Sequence, residues 1–224
     1  MIDGFSYTTA EAYEISRALA RFDAVADRAV RWAAPVQFRL AQSAPEREAV
    51  YRMRYRVVIE KGWGAAADFP NGLERDAYDE RAVQIVGWDN DKIVASGRLV
   101  FPVLGQVLPT EETFGLEIEP RGQVVDLGRT IVLNQYSNIS HRVLAGLLAQ
   151  SWIETRRRGH FNVCATFSEG MTRLCRRIGV HFTSLSPPRR YWREDRIAVR
   201  LDVLASAQAL TERWAIKASD TEGS

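Results

Sequence analysis

The chain is poor in the residues that build metal centres and disulfide frameworks. Its 224 residues include only two cysteines and three histidines. His141, His160 and His181 fall in no ligand-like spacing, so a metal centre is not expected. Cys164 and Cys175 form no CxxC pair and are expected to be buried, reduced thiols. Long hydrophobic runs are also missing. The apolar stretch from Val143 to Ala149 is far too short to span a bilayer, so no transmembrane segment is expected. The start, Met1-Ile-Asp-Gly4, has no basic segment followed by an apolar run, which gives the expectation of a cytoplasmic protein. Net charge is scarce at +2, arguing against a dedicated nucleic-acid binder. What remains is 46% hydrophobic and 26% charged, the balance of an ordinary globular protein of one generous domain or two small ones.

Periodicity divides the chain into alternating elements. Thr8 with Glu11 is a capping-box start, and Ile15, Leu19, Phe22, Ala26 and Val30 recur at helical spacing up to Ala34-Pro35. Residues 36–40 alternate as a short strand, and a helix follows to about Lys61, with Val50, Met53 and Val57 facing inward. Residues 64–72 are a small-residue loop. Strands are expected over 83–88 and 93–101, joined at Asp89-Asn-Asp91. A loop runs through Pro102, Gly105, Pro109, Gly115 and Pro120. A long strand over 123–133, a helix over 141–158, a strand over 161–167 and a short helix capped by Ser168 come next. A final hairpin of residues 181–185 and 197–203 is expected around Pro187-Pro188, with residues 216–224 as a mostly polar tail. A meander feeding a strand–helix–strand unit predicts a single mixed α/β sheet flanked by helices. The divisions are an N-terminal helical extension (1–35), one domain (36–215) and the tail.

Polar residues interrupt this pattern between positions 54 and 129. Glu74, Asp76, Tyr78 and Asp79 are clustered; in an extended segment 74, 76 and 78 would share a face, with Asp79 beginning a turn. Arg98 sits within an otherwise apolar strand, and Asp126 and Arg129 interrupt another. A charge in a central strand is costly unless paired, so these residues either pair with one another or line a cleft. Charge placement alone supports a structural ion-pair network and a functional site equally.

The ordered motifs carry a resemblance. Arg54-Tyr-Arg-Val-Val-Ile-Glu-Lys-Gly-Trp63, then Glu74-x-Asp76-x-Tyr78-Asp79, then Gly97-Arg98-Leu99, then Asp126-Leu-Gly-Arg129 resemble the acyl-homoserine-lactone synthases and their relatives, the N-acyl amino acid synthases. Both groups are N-acyltransferases of the GNAT type. The sequence departs from the lactone-synthase pattern in places. Val58 replaces a phenylalanine, the step to Trp63 is one residue shorter, and Asp126 and Gly128 stand for glutamate and serine. Leu108-Pro109-x-Glu111 is more similar to the N-acyl amino acid synthases.

The resemblance implies transfer of a fatty acyl group from a thioester, on acyl carrier protein or CoA, to the α-amine of an amino acid. The alternative it implies is a lactone synthase that uses S-adenosylmethionine. No tightly bound cofactor is implied. The resemblance assigns catalysis to Glu74, Asp76, Asp126 and Arg129, with Glu74, or Asp76 through a water, as the base. Arg54, Trp63, Asp79 and Arg98 are assigned to substrate binding. The chemistry requires a base for the amine, donors for the oxyanion, an apolar tunnel for the acyl chain and a split between strands for the pantetheine arm.

The small net charge hides segregation. Residues 151–200 hold eleven arginines, no lysine and four acids, a net +7 against −5 for the rest. Arg156, Arg157, Arg158, Arg173, Arg176 and Arg177 form a candidate docking surface for an acidic carrier protein. The bland reading is a set of solvated helix ends. A basic nucleic-acid-binding or lipid-binding module is the non-enzyme alternative, but it leaves the charges within the strands unexplained.

Overall fold

A computed structural model describes residues 8–136 and 138–221. α1 (Thr9–Trp32) opens with the Thr8/Glu11 capping box and buries Ala18, Phe22, Val25, Ala26 and Ala29. β1 (Gln37–Leu40) leads to α2 (Ala44–Glu60), which is capped by Ser43 and Glu46 and stopped at Gly62, whose φ is +68°. β2 (Val83–Asp89) and β3 (Lys92–Val100) form a hairpin. β4 (Val124–Val132), α4 (Ser140–Arg157) and β5 (Asn162–Ser168) make the strand–helix–strand unit, after the short α3 (Pro109–Phe114). α5 (Glu169–Arg177), β6 (Phe182–Ser184), β7 (Arg189–Tyr191), β8 (Glu194–Leu201) and α6 (Val203–Thr221) complete the chain.

The sheet order is β1-β2-β3-β4-β5-β8-β6, with β7 paired to β8. Only β4 and β5 run parallel. Their pairing ends at Leu127 and Ala165, although both strands continue, so the sheet opens between them. One face of the sheet carries Ile85, Leu99 and Leu127 against α4, with α1 packed on α4 and α6. The α1–α4 contact is tight: the Phe22 and Trp152 rings meet edge to face at 4.4 Å, and Trp152 Nε1 donates to Asp23 at 2.7 Å. Gly146 permits the close approach of α4 to β1, because a Cβ there would lie 2.5 Å from the Phe38 ring. α2 covers the opposite face through Val50, Met53 and Val57. No described helix is long and apolar enough to cross a membrane.

Four expectations change. The loop after β3 contains α3: Pro109 opens it, Glu111 accepts the Leu108 N–H at 2.8 Å, and left-handed Gly115 closes it. The acidic segment is not extended to residue 78. Asp76 caps a 3-10 turn over Ala77–Glu80 by accepting the Tyr78 N–H at 2.9 Å, and Tyr78 turns away to donate to Glu112. The expected late pairing is present, residues 182–184 lying antiparallel to 199–201, but the connection is more than a turn at Pro187-Pro188: the extra strand β7 follows it and turns into β8 at Trp192-Arg193, where both residues have positive φ. Helix α6 occupies 216–221, where a tail was expected; residues 222–224 lie outside the described residues.

Candidate active site

The charged residues meet on the α2 face of the sheet. Arg54, on the buried side of α2, donates from Nη1 and Nη2 to the two oxygens of Asp79 at 2.9 and 3.0 Å, and its Nε bonds Glu74. Arg98, projecting from β3, donates to Asp76 at 2.6 Å and Asp79 at 3.1 Å. Arg129 donates from Nε to Glu74 at 2.9 Å and from Nη2 to Asp76 at 2.8 Å. Three guanidiniums thus interlock with three carboxylates. Gln84, which the sequence analysis missed, donates to Asp79 at 2.8 Å. Its signal was a polar residue inside an apolar strand.

Register explains how Arg129 reaches the lattice. Residues 126 and 129 lie an odd number apart, so a regular strand would point them to opposite faces. The β3–β4 pairing shifts between Ser96 and Arg98, and Arg129 takes φ 52°, a bulge that brings its side chain onto the Arg98 face. A left-handed non-glycine residue costs about 1–2 kcal/mol, which the four-atom engagement with Glu74 and Asp76 offsets.

Burial grades the lattice. Arg54, Glu74, Asp79 and Arg98 are essentially sealed, whereas the Asp76 side chain is 34% exposed and Arg129 13%. Burial alone would raise the Asp79 carboxyl, but hydrogen bonding and charge from Arg54, with Arg98, hold it well below the usual carboxylate range. Arg129 is made still more basic: burial opposes its charge, but Glu74 and Asp76 override it.

Asp126 stands apart from these pairs. It is buried on β4, where Oδ2 accepts the Thr110 N–H at 2.7 Å, and burial raises its carboxyl. Its Oδ1 lies on the Gly128 side: a Cβ on Gly128 would be 3.7 Å from that oxygen and 4.0 Å from Arg98 Nη2. The buried Arg98 Nε has no hydrogen-bond partner. Asp126 and Arg98 both line the cleft that runs along β4.

Two clefts flank the lattice. One, of about 270 Å³, follows the β4–β5 opening past Asp126, Gly128, Thr166 and Met171. The other, about 640 Å³, is lined by Phe69, Glu74, Arg75, Asp76 and Tyr78. Trp63, Arg98, Arg129 and Trp192 border both. Trp63 donates to Glu194 at 2.6 Å, and Trp192 lies 4.4 Å beneath the Arg129 guanidinium. No motif in the sequence marks Trp192 as part of this site. A separate apolar cavity lies between the sheet, α1 and α4, lined by Phe22, Leu99, Leu127, Leu148 and Trp152.

The late arginines are dispersed in their contacts. Arg156 pairs with Asp23, Arg158 with Glu154 and Arg173 with Glu169. Arg157, Arg176 and Arg177 are exposed, and Arg157 and Arg176 have no ion-pair partner among the described residues.

Comparison with known proteins agrees with this architecture. Residues 53–147 match the model for the acetyltransferase (GNAT) domain. The structure of TofI, in a ternary complex with an inhibitor and MTA, is 25% identical, covers 77% of this chain and 96% of its own, and superposes with a TM-score of 0.63. FeeM, an N-acyl amino acid synthase from uncultured soil microbes, is 16% identical over 75% of this chain and 91% of its own, at 0.59. BjaI, a CoA-dependent acyl-homoserine lactone synthase solved with SAM and isopentyl-CoA, is 20% identical over 74% and 80%, at 0.56. The chain has a GNAT-like fold, which acyl-homoserine-lactone synthases share with an N-acyl amino acid synthase.

Proposed function

We propose that the protein moves a fatty acyl group from a thioester to the α-amine of an amino acid. The observation that carries this reading is the meeting of two clefts over Arg98 and Arg129, with a buried carboxyl, Asp126, at the floor of one. The β4–β5 opening suits the thioester arm, because the β4 main chain beyond Leu127 has no β5 partner there. The cleft beside Asp76 suits the amine. The cavity beneath α1 is largely apolar but holds only about 60 Å³, so a fatty acyl chain would have to widen it.

The lattice sorts the roles. Both Glu74 oxygens are engaged by guanidiniums, so Glu74 positions Arg129 and is a poor base. Arg54 has no exposed surface and positions Glu74 and Asp79 from behind. Asp126 is the better base: it lines the cleft, it has no guanidinium partner among the described ion pairs, and burial raises its proton affinity. In the reaction it takes a proton from the α-ammonium. The amine nitrogen then bonds the carbonyl carbon, and charge develops on the oxygen beside the β4 main chain beyond Leu127, which has no β5 partner. The tetrahedral intermediate collapses with cleavage of the C–S bond, and the nitrogen gives up its second proton, which the leaving thiolate takes up to become a thiol.

The donor is proposed to be acyl carrier protein, docked through the exposed Arg157 and Arg176, with CoA thioesters as the competing donor. The lactone-synthase reading is favoured by the TofI likeness. Purified protein supplied with acyl carrier protein or CoA thioesters and with amino acids or S-adenosylmethionine, followed by mass spectrometry, tests all of these. An N-acyl amino acid is expected. An acyl lactone would select the alternative, and no acylated product from any pairing would refute the reading.

A further inference from the structure

Among the described residues, the cleft beside Asp76 contains one arginine that makes no ion pair. Three arginines line it: Arg75, Arg98 and Arg129. Arg98 and Arg129 are committed to Glu74, Asp76 and Asp79. Arg75 is exposed and makes no ion pair or hydrogen bond through its side chain among the described residues. The acids at the same cleft are otherwise occupied: Asp68 accepts the Ala65 N–H at 2.8 Å and Glu112 takes the Tyr78 hydroxyl at 2.9 Å. Asp76 keeps about a third of its side-chain surface open.

A zwitterion fits this polarity. Asp76, whose oxygens already accept from Arg98 and Arg129, keeps open surface as a further acceptor for an ammonium, and Arg75, its neighbour in the chain, offers a planar fork of donors at the rim. A guanidinium matches a carboxylate with two parallel N–H···O bonds. A carboxylate placed deeper would have to compete with Glu74 and Asp76 for Arg129, and would meet their charge.

We propose that Arg75 binds the α-carboxylate of the acceptor, so that the acceptor class is an α-amino acid held carboxylate outward and amine inward. This deepens the acyl-transfer reading and rests on it. S-adenosylmethionine presents the same end group, so the assignment serves both acceptor readings.

The test measures initial rates with the best acceptor among the twenty standard amino acids and S-adenosylmethionine, and with that acceptor's α-carboxamide. Wild type, Arg75→Ala and Arg75→Lys are compared. Arg75→Ala is expected to raise KM for the free acid about tenfold, a loss of about 1.4 kcal/mol, with kcat within twofold. It should leave KM for the carboxamide unchanged, and Arg75→Lys should recover part of the affinity. Unchanged KM in Arg75→Ala, or an equal rise for acid and carboxamide, would overturn the assignment while leaving acyl transfer standing. Wild type that acylates no acceptor would remove both.

Discussion

Asp126 and Glu74 show how neighbouring carboxyls take different roles. Glu74 lies between Arg54 and Arg129 with both oxygens engaged, so its charge is already answered. Asp126 has burial without a close ion pair, and its proton affinity rises. A base with a raised pKa ionises later, so the acid limb of acyl transfer should lie above the ordinary carboxylate range. Asp126→Asn should lower kcat by about 10²–10⁴-fold and abolish that limb in a pH–rate profile. A profile that keeps its acid limb in the variant would assign the base elsewhere. Arg54 makes a different kind of contribution. Removing one partner of a buried ion pair strands the other, so Arg54→Met should cost about 3–5 kcal/mol in urea unfolding. A change below about 1 kcal/mol would mean that Glu74 and Asp79 are satisfied without it.

Two elements position the site by departing from regular geometry. The β4 bulge turns Arg129 onto the Arg98 face, and the left-handed turn at Trp192-Arg193 carries Trp192 to the Arg129 guanidinium. Trp192→Ala should lower kcat/KM about tenfold, because an uncovered Arg129 loses a stacking partner worth about 0.5–2 kcal/mol, and Trp192→Phe should retain most activity. Steady-state kinetics with thermal unfolding would check this; equal rates in all three proteins would exclude a positioning role. These are the elements least legible in the sequence. Period-2 and period-3.6 patterns located α1, α2, β1 to β5 and α4, because one face of each meets the core. The same patterns say nothing of a bulge, which is one residue out of register, or of α3, whose six residues have too few turns to show a period. Arg54, Asp76, Asp79, Arg98 and Arg129 were identified as a group by their motifs and by the cost of charge in strands. Their ranking from sealed to exposed, and the separation of Asp126 from the ion pairs, depend on packing across α2, β3 and β4.

Across the whole molecule the buried carboxyls pull stability in opposite directions as pH changes. Asp79 titrates below its unfolded value, so its contribution is complete above about pH 4. It is lost as acid protonates the unfolded chain first and then the native lattice. Asp126 behaves inversely. Its native carboxyl holds a proton that the unfolded chain has released, so stability falls as pH rises from about 4 through its raised pKa, then levels. The cost of the buried charge is therefore present at neutral pH, where a base must be ionised to work. Asp126→Asn keeps an acceptor for the Thr110 N–H and removes that charge. The variant should be more stable than wild type near pH 7–8 and no more stable near pH 4, while losing acyl transfer. Denaturant midpoints measured across this range would show the difference growing with pH. A constant difference, or one that shrinks with pH, would mean that Asp126 is not held at a raised pKa in the folded protein.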